Sequence, residues 1–143
     1  MAKSKAYKCT NQHFEIFKQE SQYWVDRIGL KDYSIMYTFE QWKDGKYEDS
    51  YACAAFSTED RLATVNLTPE WVGLKPDHYR ICWCAFHEIC ELWLGDLRDW
   101  IDLEVERQLD TFIHRLVREM ENAFFLPDYT SRHPVKKGRK NNE

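Results

Sequence analysis

The order of patterns along the chain predicts an α+β fold: one helix, three strands, then two helices. Three observations carry that prediction. Apolar residues recur at helical spacing between Asn11 and Ile28. Three short segments between Tyr33 and Leu67 are rich in aromatic and β-branched residues and alternate loosely in polarity. Two longer stretches after Asp77 return to helical spacing, the first of them apolar around much of its circumference.

The first helix is marked by Phe14, Phe17, Tyr23, Trp24 and Ile28, with Thr10 as its N-cap and Gly29 as its stop. Tyr33 to Trp42 then reads as a strand, followed by Lys43-Asp44-Gly45-Lys46, an Asp-Gly turn. Tyr51 to Ser57 is a second strand and Arg61 to Leu67 a third. Joined in sequence, the three predict an antiparallel meander. Thr68-Pro69-Glu70-Trp71 has the signature of a brief helix start: a capping hydroxyl, proline in the first turn, then an acid. A helix from about Asp77 to Leu97 follows, with apolar positions at Tyr79, Ile81, Cys82, Ala85, Phe86, Ile89, Leu92, Trp93 and Leu97. A helix so apolar belongs in the middle of a fold. The last helix runs from about Leu103 to Phe124 and is closed by Pro127.

The chain's 143 residues fit one domain, which places residues 1–126 in the fold and leaves 127–143 as a basic, disordered tail. From Pro127 onward five cationic residues face two acids, a balance of +3. With −4 for the whole chain, the preceding body carries −7. So acidic a body is a poor nucleic-acid platform, and only the tail could make weak contact with phosphate. No apolar run is long enough to span a membrane, and the N-terminus has no apolar leader. The five cysteines cannot all pair within one chain, which points to reduced thiols and a cytoplasmic setting.

The chemistry concentrates in His87-Glu88-Ile89-Cys90-Glu91. It reads as the zinc-peptidase motif His-Glu-x-x-His with glutamate in place of the last histidine. Residues four apart on a helix share a face, so His87 and Glu91 could grip one metal ion from adjacent turns. Glu88, turned away from them, could take a proton from water at the metal. A buried helix that carries three polar groups has to compensate them, and a divalent ion does so for two or three at once. Catalytic zinc takes three protein ligands. The third should come from the last helix, where His114, Asp110, Glu106 and Glu104 are the candidates and His114 is favoured because imidazole suits zinc. Asp110, one turn before His114, is either a ligand or an acceptor that orients one.

The segment Cys84-Ala85-Phe86-His87-Glu88-Ile89-Cys90-Glu91-Leu92-Trp93-Leu94-Gly95-Asp96-Leu97 resembles the active helix of zincin-like metallopeptidases encoded by phages and prophages, a group allied with the minimal, SprT-like zincins. Ile113 to Asn122 resembles their C-terminal helix, and Arg61 to Trp71 their edge strand with the turn after it. The resemblance spans about Tyr33 to Phe124 and implies a minimal zincin-like domain with a three-stranded sheet over two helices. It further implies His87 as a zinc ligand, Glu88 as general base, and Ala63 to Leu67 as the strand on which a peptide substrate pairs. Glu91 departs from the family motif. Two histidines and one glutamate still make an accepted zinc set, and the carboxylate moves the preference toward manganese. Tyr79, His78 and Arg80 are the candidate donors to the oxyanion.

Plainer readings stand beside these. His87 and Glu91 could be a simple i,i+4 charged pair. Cys82, Cys84 and Cys90 have no closed zinc spacing and read as core thiols, and a Cys–His nucleophile would compete for the same His87. A zincin fold that has lost its chemistry would act instead as a binding module for a host or viral protein. For a phage-encoded chain the setting would be the host cytoplasm.

Overall fold

The computed structural model describes residues 5–42, 50–99 and 106–134. In chain order its elements are strand β1 (Ala6–Lys8), helix α1 (Asn11–Ile28), strands β2 (Ser34–Thr38), β3 (Ala52–Ser57), β4 (Leu62–Leu67) and β5 (Glu70–Val72), helix α2 (His78–Trp93), the short helix α3 (Gly95–Asp99), helix α4 (Glu106–Met120), a π-helical turn (Glu121–Phe125) and helix α5 (Leu126–Arg132). The fold is α+β. The expected Asp-Gly turn at Asp44-Gly45 lies outside the described residues.

Helix α1 starts where its cap chemistry puts it. The Thr10 hydroxyl accepts the His13 N–H at 3.3 Å, and His13 Nδ1 accepts the Thr10 N–H at 3.1 Å. Gly29 ends the helix in the left-handed region, φ 91°, which costs a glycine nothing, and its N–H returns to the Val25 carbonyl. The inner face of α1 buries Phe17, Trp24 and Val25, and Trp24 meets Phe86 of α2 edge-on at 4.6 Å between ring centroids.

The sheet departs from the meander. Its order is β2-β4-β3, with β3 antiparallel to β4 but β2 parallel to it, Ile35 opposite Ala63 and Tyr37 opposite Val65. Burial explains the order. Ala63, Val65, Asn66 and Leu67 are all buried, so β4 needs cover on both faces and both edges, whereas β2 is only half-buried and suits an edge. Asn66 then fastens β2 from within: its Oδ1 accepts the Thr38 hydroxyl at 2.8 Å and the Glu40 N–H at 3.0 Å, while its Nδ2 donates to the Glu40 carbonyl. As the central strand, β4 has no edge left for a peptide, which corrects the expectation for Ala63 to Leu67.

The helix start expected at Thr68-Pro69 is a strand instead. β5 pairs antiparallel with β1, Tyr7 opposite Trp71, and the fully buried Trp71 donates its indole N–H to the Tyr51 carbonyl at 3.1 Å. Pairing with a strand some 60 residues away, and burial of the ring against Tyr51, override the local capping signal.

Helix α2 begins after the Asp77 cap, buries Ile81, Cys82, Ala85, Phe86, Ile89, Cys90 and Leu92, and packs between α1 on one side and β3 on another. Its end is sharper than the pattern implied. At Gly95 an added Cβ would stand 2.4 Å from Phe56 Cε2, so any larger residue would have to push the Phe56 ring aside where the chain turns into α3. Pro127 does not close the final helix. The helix widens into the π turn just before it and continues as α5 to Arg132. The first residues of the expected tail are therefore folded: Arg132 reaches Glu20 and Asp128, each at 2.6 Å. No helix among the described residues is long and apolar enough to cross a membrane.

Candidate metal centre

Helix α2 can carry acids into the interior because its remaining faces are apolar and fix its register. His87 and Glu91 lie one turn apart on the side that meets α4 and the π turn. Glu88 is turned toward β3, where its carboxylate accepts the backbone N–H of Ala54. Glu88 is therefore beside β3, which is an edge strand of the sheet.

His114 projects from α4 toward the same point. Glu91 Oε1 stands 3.3 Å from His87 Nε2 and 3.2 Å from His114 Nε2. The donor atoms of the three residues all lie within 4.8 Å of one another. His87 and Glu91 are largely covered, and His114 is 43% exposed, so the group opens to solvent on the α4 side. His87, Glu91 and His114 are thus a group that could hold a metal ion.

The second nitrogen of each ring decides how well the group suits that task. His114 Nδ1 lies 2.9 Å from the Asp110 carbonyl oxygen, which can only accept, so Nδ1 carries a hydrogen and Nε2 keeps its lone pair in the neutral ring. His87 Nδ1 lies 2.6 Å from Glu121 Oε1, which fixes that ring in the same way. In the neutral rings both lone pairs therefore sit on Nε2, and both Nε2 atoms face the same carboxylate oxygen. Metal–donor bonds of roughly 2.0–2.1 Å at tetrahedral angles place donor atoms about 3.3 Å apart. The two N···O separations match that edge, and the donor set fits a divalent ion.

The charges agree with the geometry. Burial opposes a charge on His87, but hydrogen bonds to Glu121 and Glu91 and the nearby Glu88 carboxylate outweigh it and lift the ring to about 10. Burial also works against charge on Glu91, yet His87, Arg98 and His114 hold its carboxyl below the usual carboxylate range. Burial and the charge of Glu91 push Glu88 upward. In the metal-free chain a proton on His87 is thus held among carboxylates, and a divalent cation is the natural replacement for it.

Other expected residues are placed elsewhere. Asp110 is not a ligand but faces His114 as an acceptor: its backbone carbonyl lies 2.9 Å and its carboxylate Oδ2 3.7 Å from His114 Nδ1, while Arg98 binds its Oδ1 at 3.0 Å. Glu104 and the Glu106 side chain lie outside the described residues. His78, Tyr79 and Arg80 sit about two turns before His87, roughly 10 Å or more along the axis. There His78 bonds the Tyr129 hydroxyl at 2.7 Å, Tyr79 packs edge-on against Tyr129, and Arg80 is held by Asp77 and the Lys75 carbonyl. None of the three reaches the cluster as an oxyanion donor. Arg98 of α3 is closer in effect, because its charge acts on both Glu88 and Glu91. All five cysteines are unpaired and buried, and burial pushes the Cys84 and Cys90 thiols well up, away from the thiolate a nucleophile needs.

Two residues were missed altogether, Arg98 and Glu121. A signal for Glu121 existed: Leu109, Ile113, Val117 and Phe125 share its four-residue spacing, and all are buried. One acid in an otherwise apolar stripe has to meet a buried partner, and here the partner is His87. No protein-family model matches the chain, and no curated protein or solved structure matches it.

Proposed function

We propose that the protein is a metal-dependent peptidase in which His87, Glu91 and His114 hold one zinc ion and Glu88 is the general base. One observation carries this reading: two imidazoles, each fixed through Nδ1, aim their Nε2 atoms at a single Glu91 oxygen. An incidental i,i+4 pair explains His87 with Glu91 but not the convergence of His114 from another helix. Two histidines with one carboxylate is a catalytic zinc composition, and the carboxylate also admits manganese. The likeness of the α2 segment to phage-encoded zincin-like metallopeptidases supports the same reading.

A bound zinc ion would supply Lewis acidity, polarising a carbonyl and lowering the pKa of water toward ~7. The chain's own groups do the rest. Glu88, in its ionised form and made a stronger base by burial, takes a proton from the attacking water and returns it to the leaving amine. Arg98 lends positive charge near Glu91 and favours an anionic transition state. An extended peptide would lie along the outer edge of β3, beside Glu88, since β4 is fully paired. Five buried, unpaired thiols fit a reducing compartment such as the cytoplasm.

The test joins metal content to hydrolysis. Untagged protein should hold about one zinc or manganese per chain, and Glu91→Ala and His114→Ala should hold little. Against a mixed peptide library read by mass spectrometry, Glu88→Gln should cut at least ~100-fold more slowly with its metal retained. A folded parent that ignores added zinc and manganese sinks the reading and leaves a protein-binding module.

A further inference from the structure

We infer that Glu121 is the positioning residue of this centre, and that the π-helical turn Glu121–Phe125 is the device that keeps it on His87. The inference rests on the metal reading above and deepens it.

Phe86 and His87 are neighbours on α2 and point about 100° apart. Both take partners from the far end of the chain. Phe125 stacks on Phe86 at 5.4 Å and 24°, and Glu121 meets His87 at 2.6 Å. These two partners are four residues apart. In α-helical geometry each step of four overshoots a full turn by about 40°, so the stripe Leu109, Ile113, Val117, Glu121 drifts steadily around the helix. One more such step would carry Phe125 off the α2 side while Glu121 stayed. A π turn needs more than four residues for a revolution and swings Phe125 back. The Leu126 N–H closes that turn by donating to the Glu121 carbonyl.

The cause of the widening is in the sequence. Pro127 has no N–H, and in α geometry its ring would strike the Ala123 carbonyl four residues earlier. The wide turn lies directly before it. Pro127 therefore sets the register that satisfies the apolar core at Phe125 and the imidazole at Glu121 together. Glu121 touches no donor atom aimed at the metal. It acts through His87, by fixing the ring's orientation and tautomer and raising the basicity of Nε2.

Cobalt(II) is the probe, because its visible absorption reports both affinity and coordination geometry. Parent, Glu121→Gln, Glu121→Ala and Pro127→Ala are titrated with cobalt after circular dichroism has shown each to be folded. Glutamine keeps an acceptor oxygen without the charge and should lose about 10-fold in affinity, whereas alanine should lose toward ~100-fold. Both should shift the absorption bands. Pro127→Ala, which touches none of the donors, should weaken binding in the same direction. A parent that binds cobalt while Glu121→Ala matches its affinity and spectrum overturns this inference alone. A parent that takes up no cobalt overturns the metal reading and this inference with it.

Discussion

Arg132 and Glu20, 112 residues apart, meet through two hydrogen bonds: Nη2 to Oε1 at 2.6 Å and Nη1 to Oε2 at 3.2 Å. Glu20 is buried and also takes the Trp24 indole N–H, and the Arg132 guanidinium lies 4.1 Å from the centre of the Tyr23 ring. α5 is thereby clamped onto α1. Arg132→Ala leaves a buried carboxylate without its cation and should cost about 2–3 kcal/mol in urea unfolding. Metal uptake by the folded variant should be unchanged. An unchanged midpoint would mean that α5 contributes nothing to the fold.

One replacement of Glu91 is informative. Glu91→His restores three imidazoles at the same helical position, and its Nε2 can reach the space now taken by Oε1. Zinc should still bind, within about 10-fold of the parent, while manganese should be lost preferentially because a hard oxygen donor is gone. Competition titrations with both metals check this. Loss of zinc together with manganese would show that the pocket requires the carboxylate's shape.

The metal-free and zinc-loaded proteins should respond to pH in opposite senses. His87 is lifted from its ordinary 6.5 to about 10 on folding. The stability its proton brings is complete below pH 6.5 and is lost as pH rises through 10. Glu88 acts in the same direction: its raised pKa means that the folded state keeps a proton that the unfolded chain releases from about 4.5 upward. With a chelator present, the melting temperature should fall steadily between pH 6.5 and 9. With zinc in excess the stabilisation should grow over the same range, since binding displaces protons. Parallel melting curves in the two conditions would contradict the assignment of His87 as a ligand.

Asn66 is the polar pin of the sheet. Asn66→Ala would strand the Thr38 hydroxyl and both backbone groups of Glu40, and should cost about 2–4 kcal/mol, read as a shifted denaturation midpoint with an unchanged slope. A loss below ~0.5 kcal/mol would mean that water replaces those bonds without penalty.

Local signals in the chain served the helices well and the strand pairings poorly. Thr10, Gly29 and the apolar spacing between them are enough to bound α1, and the apolar circumference of α2 announces its central place. His87, Glu91 and His114 were legible as candidates because helical spacing and imidazole chemistry are local properties. The parallel pairing of β2 with β4 was not legible, because it depends on which strand finds cover on both sides, and that is settled by α1 and α2. Trp71 sits in a strand for a similar reason: its partner Tyr7 is distant in sequence. Pro127 misled because proline cannot make the α-helical bond to the carbonyl four residues earlier, yet a widened turn before it removes the clash and lets the helix run on.

One structural fact limits how this protein can change. Phe86, His87 and Glu88 are consecutive, and each faces a different neighbour: the aromatic core, the ligand group and β3. Inserting or deleting a single residue in α2 before Phe86 would rotate all three away from these partners at once. The helix can therefore drift only by exchange of one side chain for another, never in length. New specificities in such a scaffold would have to arise in the loops and edges around α2.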